Sequence, residues 1–202
     1  MPEQPSHGHA EPRRIIVGIS GASGAAYGLR ALELLGQAGV ETHLVISRAA
    51  ALAIKQELGL RPADVAAQAS VVHAIHDVGA SISSGSFRTG GMLIAPCSVR
   101  TLSEIVSGVT STLLTRAADV VLKERRRLVL MVRETPLHLG HLRSLVAASE
   151  MGAIIMPPVP AFYAQPKTID DLINNTVGRA LELLDIDTPA LQPWLGMPDA
   201  TD

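Results

Sequence analysis

The sequence predicts a single α/β domain with a doubly wound, flavodoxin- or Rossmann-like parallel sheet. Short β-branched runs alternate with amphipathic stretches, glycine or serine marks the junctions, and central runs such as Met92-Leu-Ile-Ala95 are apolar without interruption. Alternating strand and helix periods signal βαβ units. A strand apolar on both faces must be covered on both, which requires helices on either side of a parallel sheet. Ligands of such sheets lie beyond the carboxyl ends of the strands.

In order, strands are expected at Arg14–Ile19, Glu41–Ser47, Val71–Ile75, Met92–Pro96, Leu128–Val132 and Ala153–Met156. Helices are expected at Ala25–Ala38, Arg48–Leu58, His138–Met151 and Thr168–Leu184. A further helical stretch from Thr101 to Arg125 is interrupted around Ser107–Ser111, giving two helices or one broken one. The 202 residues suit one domain, placed at 14–185. Met1 to Arg13, polar and holding Pro2, Pro5 and Pro12, reads as a flexible tail without the apolar stretch of a secretory signal. Residues 186–202 form a Pro-rich tail that either frays or packs on a neighbouring subunit.

Composition narrows the function classes. With 47% apolar residues, disorder over most of the length is excluded, and with only two Phe, two Tyr and one Trp the core must be aliphatic. A net charge of −2 with dispersed Lys and Arg offers no basic stripe for nucleic acid. No apolar run is long enough to span a membrane, and the single cysteine, Cys97, excludes an internal disulfide, so a reducing, cytoplasmic setting is expected. Cys97 itself reads as a small buried residue.

Two junctions look ready for an anion. Ser20-Gly-Ala-Ser-Gly24 follows the first strand, and Pro96-Cys-Ser-Val-Arg-Thr101 follows the fourth. Each precedes a helix start, where free N–H groups and the helix dipole favour a phosphate. Either alone is also a plain tight turn; the pair is better evidence. Neither is GxGxxG, and Ser47 rather than an acid closes the second strand, which disfavours a dinucleotide site. Ser83–Gly91 is a polar glycine-rich loop, either ligand-lining or a simple connection. Lys123-Glu-Arg-Arg-Arg127 reads first as cations complementing a helix end. Arg133-Glu134 stands at a strand's carboxyl end, either an active-site pair or a salt-bridged turn, and Tyr163 follows a proline-stiffened loop. No metal site is expected. His138 and His141 lack a third ligand, and Thr168-Ile-Asp-Asp171 reads as a helix capping box.

Together these segments resemble the flavin prenyltransferases, the UbiX-like family, over about Arg14 to Trp194. The resemblance implies that Gly21, Ala22, Ser23, Ser47, Ser98, Val99, Arg100, Thr101 and Arg133 bind FMN. It implies that Ser84, Gly85, Arg116, Lys123, Tyr163 and Arg179 hold the phosphate of dimethylallyl monophosphate, with Trp194 closing the site from an adjacent subunit. Glu57, Lys123 and Glu134 take the catalytic roles. The implied reaction places the dimethylallyl group on N5 and then C6 of reduced FMN, without a metal. The product, prenylated FMN, serves UbiD-type decarboxylases, and the family assembles as homo-oligomers, typically dodecamers. Two rivals are a flavin-dependent cysteine decarboxylase and a non-catalytic FMN-binding protein. The first carries Pro-Ala-Ser-Ala-Asn-Thr where this chain has Pro96–Thr101 without Asn, and the second would not need Lys123, Glu134, Tyr163 and Arg179.

Overall fold

The computed structural model describes residues 13–194 and 196. Most of the expected N-terminal tail therefore lies outside the described residues. Six parallel strands run β1 Arg14–Ile19, β2 Glu41–Ile46, β3 Val71–His73, β4 Gly91–Cys97, β5 Arg127–Val132 and β6 Ile154–Ile155. They are ordered β3-β2-β1-β4-β5-β6, so the winding reverses between β1 and β4.

The helices are α1 Ala25–Gln37, α2 Arg48–Ala53, α3 Pro62–Ala66, α4 Val99–Val106, α5 Leu113–Lys123, α6 Leu139–Glu150 and α7 Ile169–Glu182. Alternate strand residues serve opposite layers, as the two-residue side-chain period demands. Ile15, Val17, Leu93 and Val129 pack with α1 and α7, while Ile16, Met92, Ile94 and Leu130 pack with α4 and α5. The short edge strand β3 is fastened laterally: His43 bridges His73 (2.9 Å) and Glu41 (2.9 Å).

Three local differences from the sequence expectation have physical causes. The helix expected over Arg48–Leu58 is α-helical only to Ala53 and finishes as a π-helical turn, Ile54–Leu58. The helix α3 was hidden by its shortness, although Pro62 at its start and the reciprocal Arg61–Asp64 cap bonds explain it. The helical stretch expected from Thr101 begins two residues earlier, because Ser98 caps the amide of Thr101. It breaks at 107–112, and Thr112 and Thr115 cap each other as α5 begins.

Among the described residues no helix is long and apolar enough to cross a membrane. From Ile186, which is buried, the chain turns back over its own α7, and Leu191 lies against Gly178.

The helix α1 crosses the sheet closely enough to be selective about its glycines. A Cβ on Gly28 would stand 2.5 Å from the Ala95 carbonyl and 2.8 Å from the Ile19 side chain, whereas one on Gly36 would meet nothing within 4 Å. Replacing Gly28 with Ala should cost about 1–3 kcal/mol of overpacking, more than the roughly 1 kcal/mol gained in helix propensity. Gly36→Ala should gain that propensity freely. Thermal unfolding is expected to shift down for Gly28→Ala and up for Gly36→Ala, by about 2–4 °C per kcal/mol. A raised Tm for Gly28→Ala would show that α1 does not seat this way.

Candidate active site

The reversal at β1 and β4 opens a cleft of about 520 Å³ over the carboxyl edge of the sheet. That volume lies in the usual range of ligand sites, roughly 300–1,000 Å³. Residues from the ends of five strands line it: Gly21, Ala22 and Ser23 after β1, Ser47 after β2, Ile75 and His76 after β3, Ser98–Thr101 after β4, and Arg133 and Glu134 after β5.

Hydroxyls start the helices around it. Ser47 accepts from the Ala50 amide (3.1 Å) to cap α2, and Ser98 accepts from the Thr101 amide (3.2 Å) to cap α4. Thr112 opens α5 with the capping described above, and with Thr115 it also lines the cleft. Three helix starts converge on one space, each a source of partial positive charge, with Arg48, Arg100 and Arg133 nearby. Arg100 is turned outward onto Glu104 (2.9 Å). This donor set suits a phosphorylated flavin such as FMN, whose anion needs amides and cations and whose ring needs a wall.

The start of α1 is the exception. The π-helical turn carries Glu57 across to it, where Oε2 accepts from the amides of Gly24 (2.8 Å) and Ala25 (2.9 Å). Sequence reasoning offered those amides to a phosphate; a carboxylate of the chain itself already takes them. Burial pushes the Glu57 carboxyl up. The Ala25 and Gly24 amides, the Ser23 hydroxyl and the Arg133 guanidinium outweigh it, and hold the group below the usual carboxylate range. Tyr27 moves the other way: burial raises its phenol, and the same Arg133 only partly opposes the rise. Cys97 is fully buried beneath the cleft, and burial pushes its thiol up to about 12, so it is no nucleophile.

Lys123, Arg116, Ser84 and Gly85 gather elsewhere. Arg116 Nε donates to the Ser83 carbonyl (3.3 Å), and its Nη1 meets Asp119 (2.7 Å). Lys123 is ion-paired with Glu124, and a Cβ on Gly85 would fall 2.9 Å from the Lys123 ammonium. Lys123 and Gly85 sit where α5 ends and β5 begins, at the amino edge of the sheet, while Arg116, in the first turns of α5, reaches the loop from partway along the helix. From Thr115, in the cleft, to Lys123 the helix rises about 12 Å. A third group lies on another flank. Tyr163 packs edge-on against Trp194 (5.5 Å between ring centroids) and its hydroxyl donates to Gln192 O (3.4 Å). Arg179 pairs with Glu182, one residue beyond the Gly178–Leu191 contact.

Within one chain, then, the expected cofactor residues meet, with Glu57 and Glu134 beside them, but the expected phosphate ligands do not join them. Sequence reasoning missed Arg48, His76, Thr112 and Thr115 as cleft residues. Thr112-x-x-Thr115 after a helix break was a legible capping signal; Ile75 and His76 carried none. Among the described residues no group of three or more His, Cys, Asp or Glu is placed to hold a metal. Asp171 is spent on the start of α7, accepting from the amides of Lys167 (3.0 Å) and Thr168 (2.9 Å).

Comparison with known proteins agrees with this geometry. The flavoprotein family matches residues 3–181. The flavin prenyltransferase UbiX of Neisseria meningitidis is 56% identical over 187 residues, covering 93% of this chain and 99% of that protein. The crystal structure of AnUbiX (PadA1) in complex with FMN and dimethylallyl pyrophosphate superposes with a TM-score of 0.91 at 50% identity, covering 93% of this chain and all of that one. A dodecameric FMN-dependent Ubix-like decarboxylase from Escherichia coli O157:H7 has a TM-score of 0.88 at 46% identity, covering 91% of this chain and all of that one. The chain belongs to the flavoprotein family and, within it, to the UbiX-like flavin prenyltransferases.

Proposed function

We propose that this protein transfers a dimethylallyl group from dimethylallyl monophosphate to reduced FMN, and hands the prenylated FMN to a UbiD-type decarboxylase. The observation that carries the reading is the pairing of a flavin-sized cleft with a separate basic cluster, in a chain half identical to a protein solved with FMN and dimethylallyl pyrophosphate. Bound reduced FMN would supply an electron-rich N5, which would take the allyl carbon as the C–O bond to phosphate breaks, and a C6, which would bond the tertiary carbon as the alkene gains a proton and C6 loses one.

The residues divide the work. Gly21, Ala22, Ser23, Ser47, Ser98, Val99, Arg100, Thr101 and Arg133 hold the FMN, Ser98–Thr101 through backbone amides more than side chains. Glu134, at the rim of the cleft, moves protons. Glu57 stays ionised at neutral pH and keeps the Ser23–Ala25 turn in place for the ring. Lys123, Arg179 and Tyr163, with Arg116 and the Ser84-Gly85 turn, stabilise charge growing on the departing phosphate. Fixed donors of this kind replace a metal for a monophosphate.

That clamp requires other copies of the chain, since the basic cluster lies at the sheet edge opposite the cleft. Leu139, Leu142 and Val146 on one face of α6 are 46–59% exposed, an apolar stripe suited to burial between subunits. A dodecamer like that of the relative fits both facts.

Incubated anaerobically with reduced FMN and dimethylallyl monophosphate, the protein should yield flavin heavier by one dimethylallyl group, and EDTA should not prevent it. The diphosphate, tested in parallel, shows which donor is preferred. Unchanged flavin mass with both donors would end the proposal, and magnesium-dependent recovery after chelation would end the metal-free clamp.

Ser23→Asp sets a second carboxylate beside Glu57 and into the cleft. FMN affinity should fall at least tenfold, about 1.4 kcal/mol. Titration of flavin fluorescence measures it, and an unaltered affinity removes the Ser20–Gly24 turn from the site. Glu134→Gln should keep FMN but slow ring completion by roughly 10²–10⁴-fold, the usual contribution of general acid–base groups. Single-turnover absorbance kinetics at wild-type speed would relieve Glu134 of that role.

A further inference from the structure

Arg126 lies outside every role assigned so far, yet it makes more contacts to the Ser84–Thr89 loop than any residue named for phosphate binding. Its Nη2 donates to the Gly85 carbonyl (2.6 Å), and its Nη1 donates to the Phe87 carbonyl (2.8 Å) and reaches the Thr89 hydroxyl (3.5 Å). The two carbonyls stand two residues apart, so the planar guanidinium spans the turn and fixes its orientation. Arg116 holds the preceding carbonyl, Ser83 O. Inside the clamp the turn is closed by the Phe87 amide on Ser84 O (3.2 Å), and the Ser84 and Ser86 hydroxyls meet at 2.8 Å.

The aim of Arg126 is set by the way α5 ends. The Arg126 amide donates to Val121 O and the Arg125 amide to Leu122 O, both at 2.9 Å, and Arg125 takes the left-handed conformation at φ 55°. This is the two-bond helix stop normally built on glycine. A non-glycine residue there carries backbone strain. The stop reverses the chain at once. Lys123, the last helical residue, and Arg126, three residues on, therefore address the same turn, Lys123 beside Gly85 and Arg126 on its carbonyl.

We propose that Arg126 is a positioning residue, holding the Ser84–Ser86 turn against the Lys123 ammonium so that hydroxyls, amides and ammonium form one preassembled cradle for the phosphate of the allyl donor. This rests on the reading above that the basic cluster takes that phosphate. Arg126 does not touch the phosphate; its bonds go to carbonyls and leave the turn's hydroxyls to the anion, which takes over the Lys123 ammonium from its partner Glu124.

Arg126→Gln, Arg126→Lys and Arg127→Gln test the idea. Arg127 serves as the control, because it binds the Leu183 carbonyl and Asp185 rather than the loop. In Arg126→Gln the KM for dimethylallyl monophosphate, and the inhibition constant of inorganic phosphate, should rise about 10–100-fold, the scale of an ångström-sized misplacement. FMN affinity should stay unchanged. Arg126→Lys, which keeps the charge but offers no fork, should fall between, and Arg127→Gln should leave both constants alone. Unchanged constants in Arg126→Gln overturn the proposal, as does a parallel loss of FMN affinity and donor KM, which would mean general destabilisation.

Hydrogen exchange separates this from failure of the functional reading. Amides of residues 84–89 should exchange faster in Arg126→Gln and not in Arg127→Gln, whether or not the wild-type protein transfers an allyl group. Equal exchange overturns the clamp. Faster exchange in a protein whose wild type is unreactive overturns its link to the donor.

Discussion

The hydroxyl of Ser20, 1% exposed, donates to the Pro96 carbonyl at 3.0 Å and accepts from the Ser98 amide at 2.7 Å, while the Ser20 amide donates to the same carbonyl at 3.1 Å. These bonds tie the two loops that part company where the winding of the sheet reverses. Beyond that point the ladder between β1 and β4 has ended, and their helices lie on opposite faces of the sheet. A gap at this place is what makes a ligand site possible. It also leaves backbone groups that must find partners, each costing about 1–3 kcal/mol if buried without one. One serine meets that need and sets the register between the start of α4 and the end of β1. The adjoining Gly21 has no room for a side chain, because Ala49 of α2 fills that space.

Glu57 decides what kind of nucleotide the gap can take. In dinucleotide-binding versions of this sheet the start of the first helix receives the pyrophosphate. Here the equivalent amides of Gly24 and Ala25 are occupied by a carboxylate held ionised, so a second anion would meet like charge. A phosphate is left with the starts of α2, α4 and α5.

Much of this was legible in the sequence because it rests on short-range patterning. The six strands, the break before α5 and the hydroxyl-led turns at Ser20 and Ser98 are all written in local residue order. What stayed hidden depends on geometry between distant segments. The π-helical turn reads as ordinary helix, since Ile54–Leu58 has no glycine or proline inside it, and only the fold shows that Glu57 reaches α1. Arg126 sits in a run of cations that the helix dipole already explains, so its contact with a loop some forty residues earlier leaves no trace. The resemblance implied a site at subunit junctions, and no periodicity could reveal that one chain keeps the expected phosphate residues apart from the cleft, in a cluster at the amino edge and a group on another flank.

That division follows from α5 itself. Its start contributes Thr112 and Thr115 to the cleft, and its end carries Lys123 to the opposite edge. Its apolar face, Leu113, Leu114, Ala117, Val120 and Val121, is buried over the helix's whole length, which fixes both ends against the sheet. On the proposed reading each copy would offer a flavin cleft at one end and a phosphate cradle at the other, neither chemically complete alone. Under the proposed reaction an isolated protomer would hold FMN and leave it unaltered. Assembly would then work as part of the active site, bringing the donor's leaving group to a flavin held by a different copy, and keeping water from both.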